Sequence, residues 1–309
     1  VTTTAEVISQ RTKELLTEQD GLLFGQCVTA VGWVGGTIPQ LGEDDGIVEL
    51  SMADVAGASI AVGAALSRRR CIYVIRYQGF LWYNAASIVN YSAKSKYMWN
   101  VACPLMIRAI SMDGGIGPVA SSSHHGMVGR MPGLVITAPM TPKEWNTVFD
   151  WWLEHDEPVF VSESRKSFAI DYEFEDVVES EPHITIIGIG ASRMELGSVL
   201  EDLREKNINA NLFHQVWLKP FAPSPTLVQS VRDSMFSLIV DSDFEDCSIA
   251  KTMAYELMHS CGRPVHVLGL EERSSGFSSA TDNATPSRLQ VVARVLSIIN
   301  AQGMSQIVY

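Results

Sequence analysis

What the chain has little of narrows its chemistry first. Its five cysteines, Cys27, Cys71, Cys103, Cys247 and Cys261, are scattered through 309 residues with no Cys-x-x-Cys pair. That spacing excludes a zinc ribbon or dithiol motif, and an odd number of distant thiols is no disulfide framework. A reducing cytoplasm is the expected compartment. Long hydrophobic runs are also missing. The longest near-apolar stretch, residues 55–66, is too short to cross a bilayer, and the opening Val1-Thr2-Thr3-Thr4-Ala5-Glu6 has no basic-then-apolar leader pattern. Positive charge is scarce: 23 Lys and Arg stand against 35 Asp and Glu, for a formal net charge of -12. This balance argues against nucleic acid as a partner and fits a small organic substrate. The one basic run, Arg68-Arg69-Arg70, reads as a solvated helix end favourable to that helix's dipole.

What is present is an α/β pattern. Apolar content is 46%, and the length suits two domains. Val, Ile and Leu-rich runs at 22–26, 47–50, 71–77, 105–110, 134–138 and 159–162 alternate with helix-length amphipathic segments, as in a parallel sheet covered on both faces. Thr141-Pro142-Lys143-Glu144 is a capping box that predicts a helix to about residue 155. The acidic stretch 171–182 has neither periodicity and reads as an exposed linker, giving domains 1–175 and 183–309. A second alternation follows, with strands at 184–189, 210–218, 238–241 and 265–270. Gly188-Ile189-Gly190 after its first strand invites a dinucleotide reading, but Arg193 stands where the third glycine of that fingerprint belongs.

Three segments of the front domain carry a family resemblance. They are Glu49-Leu50-Ser51-Met52-Ala53-Asp54 with the Ile60-Ala61-Val62-Gly63-Ala64-Ala65 run behind it, Tyr77-Gln78-Gly79-Phe80-Leu81-Trp82-Tyr83, and Gly114-Gly115-Ile116-Gly117-Pro118 continuing to Met131-Pro132-Gly133. Together they resemble transketolase and the beta subunits of the 2-oxo acid dehydrogenase decarboxylases of pyruvate, branched-chain and acetoin type. Val216-Trp217-Leu218-Lys219-Pro220-Phe221 extends the resemblance, more weakly, into the back domain. The implied fold is a doubly wound pyrimidine-binding domain followed by a smaller transketolase C-terminal-like α/β domain.

The resemblance implies thiamin diphosphate with Mg. In that superfamily the cofactor is the electron sink, and a carboxyl group on its pyrimidine nitrogen promotes the imino form. Asp54 occupies this position, although the family norm is Glu, about 1.5 Å longer by one methylene. The plain alternative is that Asp54 only caps the helix after it. Phe80 matches the ring that stacks on the pyrimidine, with Tyr77 and Tyr83 completing an aromatic wall; core packing is the plain alternative. An ungapped match places Ala120 where dehydrogenase beta subunits carry a catalytic His. His124 and His125 lie just beyond and resemble the His-His-Gly of deoxyxylulose phosphate synthase, so one of them is a candidate proton carrier, against a reading of both as loop residues. Gly25-Gln26-Cys27 replaces the Gly-Glu-Glu common in those subunits.

No Gly-Asp-Gly string occurs in this sequence, and that is the motif through which thiamin enzymes hold the metal and diphosphate. An alpha subunit is therefore expected to supply both, by resemblance in an alpha2beta2 assembly. The expected function is that of a beta subunit of a two-component enzyme that cleaves a 2-oxo acid or ketose and hands the acyl or two-carbon unit to an acceptor. The rival is a regulatory or scaffolding subunit that kept the fold and lost the chemistry.

Overall fold

The computed structural model describes residues 2–114 and 116–301; Gly115 of the Gly-Gly-Ile-Gly-Pro stretch lies outside the described residues. Strands β1 (Leu22–Gln26), β2 (Ile47–Leu50), β3 (Cys71–Ile75), β4 (Leu105–Ser111), β5 (Val135–Thr137) and β6 (Val159–Ser164) form the first sheet in the order β2-β1-β3-β4-β6-β5, all parallel. Every residue of β3, β4 and β6 is buried, as a sheet covered on both faces requires. Alternation assigns the two faces. Ile72 and Val74 pack with helices Thr4–Glu18 and Pro142–Glu154, whereas Tyr73 and Ile75 pack with helices Asp54–Leu66 and Leu81–Ser87. The capping box holds in the structure, with Thr141 accepting from the Glu144 amide and Glu144 accepting from the Thr141 amide.

The second sheet is smaller and wholly parallel, in the order β11-β10-β7-β8, from β7 (Ile184–Ile189), β8 (Ala210–Gln215), β10 (Phe236–Phe244) and β11 (Val265–Leu270). Helices Arg193–Arg204 and Arg288–Ala301 cover one face. The other face, with helix Ile249–Cys261, joins the same apolar cluster as Phe24, Tyr73 and Ile107 of the first sheet, so one core runs through both domains.

Two expectations change, and a third gains detail. The single strand at 210–218 breaks after Gln215, and β9 (Trp217–Lys219) crosses to pair antiparallel with β5. The physical reason is Trp217, whose ring packs edge-on against Trp151, 5.3 Å between centroids. The acidic segment is largely exposed, as a linker reading expects, and is also pinned: Val177 pairs with Leu212, and Glu173 accepts the Lys143 amide at 2.9 Å. Of the basic run, Arg70 donates to the carbonyls of Trp152 and His155, so it serves the end of a different helix, while Arg69 binds Asp20. Among the described residues no helix is long and apolar enough to cross a membrane.

Candidate functional site

In a parallel sheet every strand delivers its following loop to the same edge, and the loops after β1 to β4 therefore converge there. Asp54 comes from the loop after β2. It is the first residue of helix Asp54–Leu66, whose N-cap is Ala53, so its carboxylate is not the cap. Instead Asp54 Oδ1 accepts a hydrogen bond from Asn84 Nδ2 at 3.0 Å, while Oδ2 has no partner among the described residues. The side chain is half-buried. Within β2, Glu49 accepts the backbone amides of Val28 and Thr29, closing the loop after β1 that holds Cys27.

The loop after β3 supplies the aromatic residues. Tyr77 and Phe80 flank a short 3-10 turn, Gln78–Phe80, with ring centroids 5.8 Å apart and planes tilted by 52°. Arg76 lies over the Tyr77 ring and donates to the Cys27 carbonyl at 3.0 Å, which ties this loop to the one after β1. Tyr83 is on the following helix and is 60% exposed. Its neighbour Trp82 is equally open, and Met52, Val55, Ile60, Tyr91 and Tyr97 are further large apolar side chains of the front domain left exposed.

The loop after β4 lies directly against the Phe80 turn. A Cβ at Gly79 would come within 2.0 Å of the Val119 carbonyl oxygen, so only glycine permits this approach. Ala120 is buried at the next position. Gln78, fully buried, fastens the loops together: its Nε2 donates to the Ala109 carbonyl and to Ser162 Oγ, and its Oε1 accepts the His124 amide at 2.6 Å.

The two adjacent histidines have opposite environments. His124 packs near Phe244 at 5.7 Å and opens on a cavity of about 540 Å³ lined by Trp82, Val89, Met127 and Met131. Burial, reinforced by the neighbouring His125 charge, lowers its pKa to about 4, which leaves it neutral at pH 7. His125 is closed off completely. Its Nδ1 lies 3.0 Å from Ser162 Oγ and its Nε2 3.1 Å from Asp241 Oδ2, with Asp243 Oδ2 at 3.6 Å. Burial opposes its charge, but Asp241 and Asp243 outweigh burial and lift it to about 9.

The structure thus joins Asp54 to the Phe80 turn through Asn84, and the Phe80 turn to His124 through Gln78. It turns His125 inward, between the two sheets. Asn84, Gln78 and Tyr73 escaped the sequence reading because a single Asn, Gln or Tyr within an apolar segment signals nothing about its partner. One cue was available: Asn84 follows Phe80 by one helical turn, within reach of its carbonyl. The glycine-rich turn after β7 contains no nucleotide-like opening either, since Arg193 is buried there against Glu144, His214 and the Phe174 ring.

Comparison with known proteins gives a consistent picture. The transketolase pyrimidine-binding domain matches residues 2–169. The chain is 25% identical to the 2-oxoisovalerate dehydrogenase subunit beta of Bacillus subtilis, over 79% of this chain and 80% of that one. It is 21% identical to the pyruvate dehydrogenase E1 component subunit beta of Staphylococcus epidermidis, over 90% of this chain and 92% of that one. Among solved structures, a split-gene transketolase described as an inactive beta4 tetramer superposes with a TM-score of 0.71 at 16% identity, covering 96% of this chain and 97% of its own. Transketolase from Campylobacter jejuni also gives a TM-score of 0.71, at 15% identity, over 95% of this chain and 46% of that one.

Proposed function

The chain belongs to the transketolase pyrimidine-binding domain family, and from that premise we propose that it is the beta-type subunit of a two-component thiamin diphosphate enzyme. Its reaction would cleave a 2-oxo acid or ketose beside the carbonyl and pass the acyl or two-carbon unit to an acceptor. The observation that carries this reading is Asp54: a half-buried carboxylate with one oxygen held by Asn84 and the other open, adjoining the Phe80 turn.

The residues suit the ring of the cofactor. An acceptor oxygen fixed beside an aromatic side chain is what a flat, protonatable heterocycle requires. When bound, thiamin diphosphate supplies the electron sink for cleavage. Asp54 would hold a proton at the ring nitrogen through Oδ2, and Phe80 with Tyr77 and Tyr83 would fix the ring plane. Of the two imidazoles, neutral His124 faces a cavity and is suited to exchanging protons with substrate; His125 would hold the two domains in register. The division into residues 1–175 and 183–309 belongs to the same reading, as does an alpha2beta2 assembly whose alpha chain holds diphosphate and Mg. Supporting a partner are the names of the relatives, each a beta subunit, and the number of large apolar side chains left exposed between Met52 and Tyr97.

One observation favours the rival regulatory subunit, namely a methyl group at Ala120 where the dehydrogenase beta subunits carry an imidazole. Both readings meet the same test. The chain is purified with its alpha-type partner, and thiamin diphosphate binding and turnover are compared with those of Asp54→Ala. Bound cofactor and a turnover loss of about 100-fold or more support the enzyme; cofactor-free, inactive complex supports the regulator.

A further inference from the structure

Resting on that reading, we propose that Asn84 is the positioning residue of the Asp54 carboxylate, holding Oδ1 so that Oδ2 alone is presented to a ligand's ring nitrogen. The amide is fully buried, and each of its groups is engaged. Nδ2 donates to the Phe80 carbonyl at 2.9 Å and to Asp54 Oδ1 at 3.0 Å, and Oδ1 accepts from the Tyr73 hydroxyl at 2.6 Å. The orientation of the amide follows from chemistry. The Phe80 carbonyl can only accept, so the nitrogen must face it, and the same nitrogen then meets the carboxylate.

Tyr73 locks the amide from behind. It rises from the middle of β3, is 2% exposed, and stays protonated because burial and the Asp54 charge both oppose its ionisation. Room for its hydroxyl exists because residue 57, one turn into the Asp54 helix, is glycine; a Cβ there would stand 3.0 Å from the phenol oxygen. Three elements are thus pinned by one side chain: the start of the Asp54 helix, the Phe80 turn and strand β3.

A short carboxylate gives this device its use. An Asp side chain at the first position of a helix, uncapped and half-exposed, is free to turn about its two side-chain bonds. Donation from Asn84 to one oxygen fixes the carboxylate plane and with it the position of the other oxygen. Asp54 and Phe80 are then set relative to each other by one planar amide, and a misplacement on the order of 1 Å between such groups costs about 100-fold in rate.

The test is a double-mutant cycle on the chain in complex with its partner, read as the calorimetric Kd for thiamin diphosphate with Mg. Asn84→Ala is expected to weaken binding about 5- to 30-fold when Asp54 is present and less than about 2-fold in an Asp54→Ala background. Tyr73→Phe removes only the hydroxyl, keeps the buried ring should Asn84→Ala fold poorly, and is expected to give a smaller loss that also vanishes without Asp54. Equal losses in both backgrounds would reduce Asn84 to a structural tie of the Phe80 turn and overturn the inference alone. No binding by the unaltered complex would overturn the thiamin reading, and this inference with it.

Discussion

His125 and Asp241 join the two sheets through a contact that no water reaches: Nε2 and Oδ2 are 3.1 Å apart and both side chains are fully buried. The imidazolium is held from the other side by Ser162 of β6, so a single ring bridges the first sheet and β10 of the second. Removing one partner from a buried ion pair leaves an uncompensated charge. His125→Ala is therefore expected to lower unfolding free energy by roughly 3–5 kcal/mol, measured by urea denaturation.

The same contact makes stability depend on pH. The folded-state pKa of His125 is raised, to about 9 from an ordinary 6.5, so its contribution is complete below pH 6.5 and is lost as pH rises through 9. Asp243, pushed up to about 6 by burial against the pull of His125, acts in the same direction at lower pH. Urea midpoints are expected to fall between pH 6.5 and 9, and that fall should disappear in His125→Ala. A flat profile in the unaltered chain would show that His125 is neutral.

Arg193 and Glu144 form a second tie between the domains. The guanidinium is completely buried, so Glu144→Ala would strand it; the expected cost is again roughly 3–5 kcal/mol, with the loss read from denaturant midpoints. Because Glu144 also caps its own helix through the Thr141 amide, about 1 kcal/mol of that loss belongs to the cap. In the double variant Glu144→Ala with Arg193→Met no charge is left stranded, so it should recover much of the loss beyond the cap.

Gly79→Ala adds one methyl group and removes no functional atom. Its Cβ would meet the Val119 carbonyl oxygen at 2.0 Å, so the Phe80 turn and the loop after β4 must separate. Thiamin diphosphate affinity is expected to drop about 10-fold or more, with a lower melting temperature. Unchanged affinity would mean that the contact between these loops does not shape the site.

Much of the fold was legible from residue pattern alone, because strands buried on both faces write themselves as continuous Val, Ile and Leu runs. β1, β2, β7 and β11 fall where those runs begin and end. Errors arose where a side chain's partner lay far away in sequence. Trp217 looked like the continuation of β8 until Trp151 drew it to the other sheet, and Arg70 looked like the end of its own helix although it serves the helix ending at Glu154.

The site divided along the same line. Asp54, Phe80 and the histidines were singled out because short local strings resemble a family, and strings are what a sequence displays. The distinction between His124, open to a cavity, and His125, locked by Asp241, depends on a strand more than one hundred residues later and could not be read from two neighbouring letters. Asn84 was missed for the same reason: its meaning lies in Asp54 and Tyr73, on two other elements.

Deuterium uptake at the thiazolium carbon of bound thiamin diphosphate, followed by quenched-flow NMR on the chain with its partner, addresses the role of Asp54 without needing the substrate. With Asp54→Ala the exchange rate is expected to fall about 100-fold or more while cofactor remains bound at saturating concentration. An unchanged rate would contradict the assignment of this carboxylate as the activator of the ring.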